Sequence, residues 1–185
     1  GEYLDALDRM DKGVNVGGMV GHCAVRYHAM GERSLDEEPA SDEDIEKICA
    51  LVDEAIGSGA LGFSTSRTYM HRVPDGRFVP GTHAAPNEML AIGRVMGKHG
   101  KGVCEGALRL GERDHEEGLP KTRGEIAWVG QLSRENQLNA TFGVAHSYRR
   151  PELYRQIIEF VEEENAKGAR LRPQTTSRGV GGLFA

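Results

Sequence analysis

Residues 60–69 read Ala60-Leu61-Gly62-Phe63-Ser64-Thr65-Ser66-Arg67-Thr68-Tyr69. The run begins with small and apolar residues, as a buried strand does, and passes into hydroxyls and a guanidinium. Gly57 and Gly59 separate it from a helix with clear apolar periodicity. A strand that follows a helix and opens into a polar loop is the way a β/α barrel brings its strands to the active-site face.

Working outward, the same unit recurs. A first strand is expected at about Val14 to Val20, followed by a long loop from His22 to Ala40 rich in Gly, Glu and Arg. Ile45, Ile48, Cys49, Val52, Ala55 and Ile56 repeat at helical spacing and predict a helix from Asp42 to about Ile56. Ser41 suits its N-cap, and Asp42, Glu43 and Asp44 suit the positive end of its dipole. The second strand is expected at Ala60 to Ser64, its polar loop at Ser66 to Pro86, and a helix at about Asn87 to Lys98. A third strand follows at about Gly102 to Leu108, then a charged loop from Arg109 to Lys121. Thr122 and Glu125 have the spacing of a capping box for a helix ending near Asn136. The fourth strand is expected at about Ala140 to His146, with Pro151 in the first turn of the next helix. Gly168 ends that helix, and a fifth strand runs from about Ala169 to Gln174.

Strands alternating with helices imply a parallel sheet. No G-x-G-x-x-G follows the first strand and no Walker A motif occurs, which disfavours a nucleotide-binding open sheet. Short connections enter the strands and long polar ones leave them, as in a barrel whose chemistry lies at the strand C-termini. The expected fold class is therefore α/β: a partial (β/α) TIM-type barrel of about five parallel strands with outer helices. A closed barrel needs about eight strands and roughly 250 residues. Residues 1–185 are thus expected to be a fragment of one barrel, its start and end missing.

The chain carries a net charge of −5 with both signs interspersed, and no basic patch with interleaved aromatics. Nucleic acid is not an expected partner. No apolar run approaches the ~20 residues that span a bilayer, so no membrane association is expected. Nor is there a signal-peptide pattern. The three cysteines, Cys23, Cys49 and Cys104, are widely spaced and odd in number, which suggests no disulfide framework and a reducing cytoplasm.

Residues 60–69 also resemble a signature of the N-acyl-D-amino-acid deacylases, the D-aminoacylase family of the amidohydrolase superfamily, in which a G-A-L-G-L-S-T-G-L-x-Y-like run ends a barrel strand. Ser64, Thr65 and Tyr69 match; Phe63, Ser66 and Arg67 replace Leu, Gly and Leu. Val20-Gly21-His22-Cys23-Ala24-Val25-Arg26 is similar to the family's V-G-H-x-x-L-R segment. Pro80-Gly81-Thr82, followed by Asn87-Glu88-Met89-Leu90, is similar to its P-G-x-x-A-x-x-x-E-L stretch. The similarity runs from about Asn15 to about Thr176.

The resemblance implies a metal-dependent hydrolase acting on the linear amide bond of a small-molecule N-acyl-D-amino acid, with Zn2+ as cofactor. His146 stands on the metal-binding His of the family's S-H-L-K motif, although Ala145, Ser147 and Tyr148 replace its neighbours. Neutral imidazole is a good zinc ligand; the rival reading is a loop histidine without a ligand. On the third strand the family has Y-A-T-H-M-R, where this chain reads Cys104-Glu105-Gly106-Ala107-Leu108-Arg109. Ala107 replaces a metal-binding His and cannot ligate. Glu105 shares its face by strand alternation and is the better substitute ligand than Cys104; its rival role is a carboxylate paired with an Arg inside the barrel. Ser64, Thr65, Arg67, Tyr69 and Arg109 are expected to bind substrate, because hydroxyls and guanidinium forks suit a carboxylate-bearing ligand. Ser64 and Thr65 have the alternative of satisfying loop backbone groups. His22 is read as a structural or pocket residue. The family's upstream H-x-H and late-strand Asp are not in this sequence; the resemblance implies that positions after Gly179 lead towards the strand that carries the Asp. Two other readings stay open: a divergent, non-catalytic barrel that binds an acyl-amino-acid-like ligand, and an interaction module whose open sheet edges pair with a partner.

Overall fold

In the computed structural model, which describes residues 2–177, five strands form one sheet in the order β1-β2-β3-β4-β5, every neighbouring pair parallel. They are β1 (Val20–Gly21), β2 (Gly62–Ser66), β3 (Val103–Ala107), β4 (Asn139–Gly143) and β5 (Leu171–Gln174). Six α-helices accompany them: α1 (Glu2–Asp8), α2 (His22–Met30), α3 (Asp42–Gly57), α4 (Pro86–His99), α5 (Pro120–Asn136) and α6 (Leu153–Ala166). From α2 to α6 each helix packs on the next, which makes one helical layer. This is the expected α/β partial barrel.

Strand alternation separates the two faces of the sheet. Phe63, Cys104, Ala140, Phe142 and Leu171 are buried against Ile48, Val52, Met89, Ile92, Ile126, Leu132 and Ile157 of the helices. Ser64, Glu105 and Thr141 lie on the alternate positions and are less buried. Gly62 sets the spacing between β2 and β3. A Cβ there would sit 2.1 Å from the Val103 carbonyl oxygen and 2.8 Å from its nitrogen, both backbone atoms of the paired strand. Gly62→Ala is therefore expected to lower stability by about 3 kcal/mol or more, because the strands must part to admit the methyl. Gly21→Ala, where an added Cβ meets nothing within 4 Å, should shift the urea midpoint far less. Equal midpoints for the two variants would refute this account.

Several boundaries differ from the periodicity. The first strand is two residues long; Val14 and Val16, expected inside it, are 75% and 50% exposed. The loop expected after it is instead α2 and a short 3-10 helix, Gly31–Leu35. The buried side of α2 consists of His22, Arg26 and Met30. Two of these three are polar, so apolar periodicity could not reveal the helix. Helix α1 buries no side chain and left no pattern either. The second strand lies about two residues later than expected, and β4 stops three residues short of His146. Helix α5 starts at Pro120, not at a Thr122–Glu125 capping box. Thr122 Oγ1 donates to Asp114 and accepts from the Gly111 amide, while Glu125 binds arginines. The capping box that does form is Ser41 with Asp44 at the start of α3. The expected lead-in to a further strand after Gly179 lies outside the described residues.

Candidate functional site

The C-terminal ends of the strands surround an open concavity of about 1450 Å³. Ser64 and Ser66 of β2, Glu105 of β3 and His146 after β4 line it, together with His71 from the loop after β2. His22 and Thr65 border its floor. His22, Ser64, Thr65, Glu105 and His146 are therefore gathered at one face. Glu105 is exposed on the concave side, with no hydrogen bond or ion pair among the described residues. Cys104 points the other way into the core, its thiol pushed up to about 12 by burial and by the Glu105 charge. That makes it a poor metal ligand. His146 is exposed, its ring 6.0 Å from that of Tyr154.

The motifs that carry the family resemblance converge beneath this surface. His22, fully buried, places Nε2 2.7 Å from Glu88 Oε1 and Nδ1 2.8 Å from Thr65 Oγ1. A carboxylate only accepts, so Nε2 carries the proton and the Thr65 hydroxyl donates to Nδ1. Burial above all holds the His22 pKa below 6.5, against the pull of Glu88. Arg26 Nε donates to both Glu88 oxygens, at 3.1 and 3.3 Å, and its other nitrogens donate to the Ser34 and Glu38 carbonyls. Gly81 closes the cluster: its φ is +102° and a Cβ would lie 2.7 Å from His22 Nδ1. Thr65 therefore serves this buried network, and it is Ser64 that faces the concavity.

Arg67, Tyr69 and Arg109 collect in a second cluster instead of lining the concavity. Glu125 of α5 is its centre. Arg67 Nε and a terminal nitrogen donate to its two oxygens at 2.9 and 3.0 Å, and Arg109 donates to Oε1. Burial pushes the Glu125 pKa up, but the two guanidiniums outweigh it and hold it below 4.5. Arg67 also lies 5.4 Å from the Trp128 ring centroid, and Arg109 donates to the Tyr69 hydroxyl at 3.1 Å. Tyr69 packs at a tilt against the rings of Phe78 and His83, with Arg113 4.2 Å from its centroid. Sequence reasoning missed Glu125 as a partner. The one available signal was an acid on the otherwise buried side of α5, beside Ile126 and Val129. His71, which the sequence reads as a surface or lid residue of its loop, borders the concavity, as do the loop arginines Arg149 and Arg150, which sequence reasoning missed.

A catalytic zinc needs about three protein ligands and an open position. Among the described residues no three His, Cys, Asp or Glu side chains form a group that could hold a metal ion. Glu105 and His146 by themselves fall short of a zinc site, and Ala107 adds no donor.

D-aminoacylase of Alcaligenes xylosoxydans xylosoxydans is 33% identical over 99 residues, covering 54% of this chain and 18% of that protein. An uncharacterised protein of Mycobacterium tuberculosis (strain H37Rv) is 29% identical over 106 residues, covering 54% of this chain and 17% of that one. Among solved structures, an N-acyl-D-glutamate deacylase from Bordetella bronchiseptica, complexed with zinc and a phosphonate mimic of the tetrahedral intermediate, matches with a TM-score of 0.67. That match covers 92% of this chain and 32% of the deacylase at 18% identity, a likeness of fold. No family model matches the chain. The matched part is less than a fifth of each curated relative.

Proposed function

We propose that this chain, a divergent relative of the D-aminoacylases, is one segment of a hydrolase barrel that cleaves the acyl amide of N-acyl-D-amino acids. The observation that carries the reading is the concavity at the strand C-termini, with Ser64, Glu105 and His146 on its wall. Small polar groups around an open hollow suit a small-molecule ligand. The zinc seen with the solved deacylase supports a metal in the intact protein, with His146 and Glu105 as this segment's donors and the others supplied from outside it. Arg67, Tyr69 and Arg109 then shape the wall behind the site through Glu125. The three free cysteines favour a reducing cytoplasm. No helix among the described residues is long and apolar enough to cross a membrane.

The 185-residue chain alone is expected to release no free D-amino acid from N-acetyl-D-amino acids with zinc supplied, because its donors fall short of the about three ligands required. The intact protein is expected to turn over and to lose that turnover in His146→Ala. Turnover by the isolated chain that disappears in His146→Ala would show a complete site here and overturn the segment reading. Ala107 favours one rival: a barrel that binds an acyl-amino-acid-like ligand without cleaving it. The intact protein would then bind N-acetyl-D-amino acids, seen by calorimetry, with no release of product.

A further inference from the structure

Two arginines of this protein share one arrangement. Arg67 turns Nη1 to the Ala84 carbonyl and lays Nε and Nη2 on the two oxygens of Glu125. Arg109 turns Nη1 to the Tyr69 hydroxyl and lays Nε and Nη2 on Glu125 Oε1. In both, a neutral oxygen holds one corner of the guanidinium. The edge made by Nε–H and Nη2–H, two donors pointing the same way, then meets a carboxylate.

Arg150 repeats the first half of this arrangement. Its Nη1 donates to the Gly111 carbonyl at 3.2 Å and to the Asp114 carbonyl at 2.7 Å, which uses both hydrogens of that nitrogen. Its Nε and Nη2 have no partner among the described residues, and no Asp or Glu side chain among them pairs with it. Carbonyl oxygens are neutral, so they orient the guanidinium and leave its charge uncompensated. The backbone is held as well. The Arg150 amide donates to the carbonyl and the hydroxyl of Ser147, at 3.1 and 3.2 Å, and the Leu153 amide donates to the Arg150 carbonyl. Gly111, Arg150 and Leu153 all line the concavity, so the half-buried guanidinium stands in its wall between the loop after β3 and the start of α6. The fit there is close: a Cβ on Gly111 would lie 2.5 Å from Leu153 Cδ2 and 3.4 Å from Arg150 Nη1.

We propose that Arg150 binds the α-carboxylate of the substrate, one oxygen on Nε–H and the other on Nη2–H. This rests on the hydrolase reading above. Arg67 and Arg109, the arginines expected to clamp a carboxylate, are both spent on Glu125. Arg149, the other arginine on the wall, is exposed and has no such anchors among the described residues. A guanidinium already fixed at Nη1 loses less freedom when its free edge is occupied. The site therefore selects a free acid over its primary amide, which brings no charge and sets an N–H against one of the two donors.

The test follows acetate release by the intact protein from N-acetyl-D-amino acids with apolar side chains and from their C-terminal primary amides. Wild type is expected to favour the acid by about 100-fold in kcat/KM. In Arg150→Gln that preference should fall to about threefold, through the KM of the acid more than through kcat. Losing the loop anchor burdens acid and amide alike, so the ratio between them separates binding from a structural role. Arg150→Lys keeps a cation able to reach the same carbonyls and guards against a glutamine variant that does not fold. Its ammonium is a point charge without the fork, and the preference should fall about tenfold. A wild type without preference for the acid, or a preference that both variants keep within about threefold, overturns the proposal while the hydrolase reading stands. A wild type that releases acetate from neither compound overturns both.

Discussion

Glu125→Ala is expected to cost about 3–5 kcal/mol of stability, because it strips the shared carboxylate from two guanidiniums that stay buried or half-buried. Arg67 is 3% exposed and has no other carboxylate; its remaining bond is to the Ala84 carbonyl. Arg109, on the neighbouring loop, has its side chain 21% exposed and keeps the Tyr69 hydroxyl. Most of the loss should therefore come from Arg67. For a domain of this size the loss should lower Tm by roughly 6–20 °C. Glu125→Gln should fall between, since an amide oxygen still accepts one N–H. Replacing Arg67 by Met and Glu125 by Leu together should restore much of the loss, because a buried ion pair is worth little against well-packed apolar groups. Denaturant midpoints at constant m-value measure all three. A Glu125→Ala midpoint equal to wild type would show that these arginines reach water when unpaired.

Glu88→Ala is expected to be of similar size, about 3–5 kcal/mol, and it adds a pH signature. Without Glu88 the fully buried His22 and Arg26 lose the acceptor they share. In the wild type, burial pushes the Glu88 pKa up, but the His22 hydrogen bond and the Arg26 guanidinium hold it below 4.5. His22 itself is held below 6.5. Below the ordinary histidine pKa the unfolded chain therefore binds a proton on His22 that the folded chain refuses, and stability falls as the pH drops. Below the ordinary glutamate pKa the unfolded chain likewise takes protons that the folded Glu88 and Glu125 resist, so the loss steepens. Unfolding free energy should decline from about pH 7 to about pH 5, and faster below that. His22→Asn should flatten the upper part of the decline. A wild-type curve that is level across the upper range, or one that His22→Asn leaves unchanged, would remove His22 from this account.

The two clusters also explain how the concavity stays open. The Glu88 network joins α2, β2 and α4; the Glu125 network joins α5 to the loops after β2 and β3. Each holds its loops from behind, on buried charge, so the residues on the concave side are left free to meet a ligand. Ser64, Glu105, His71 and His146 are those residues.

The alternation of strand and helix, the parallel order of the sheet and the strand ends as the polar face are all legible in the residues alone. Those follow from local periodicity: Ile48, Val52 and Ile56 repeat along α3, and an apolar run at Phe63 gives way to hydroxyls. The family resemblance was legible for the same reason, since short motifs keep their spacing along the chain. The sequence alone did not reveal helix α2, whose buried side is mostly polar, with His22 and Arg26 beside Met30, and looks like loop until Glu88 is brought against Arg26 from 62 residues away. Nor did it show that Arg67 and Arg109 turn to Glu125, or that His71 reaches Ser66. A charged side chain takes whichever partner the fold places within hydrogen-bond reach, and no pattern along the chain encodes that distance. Apolar burial needs only a face, which periodicity marks; ion pairs and hydrogen bonds need a particular atom at about 3 Å, and only the tertiary structure decides which atom that is.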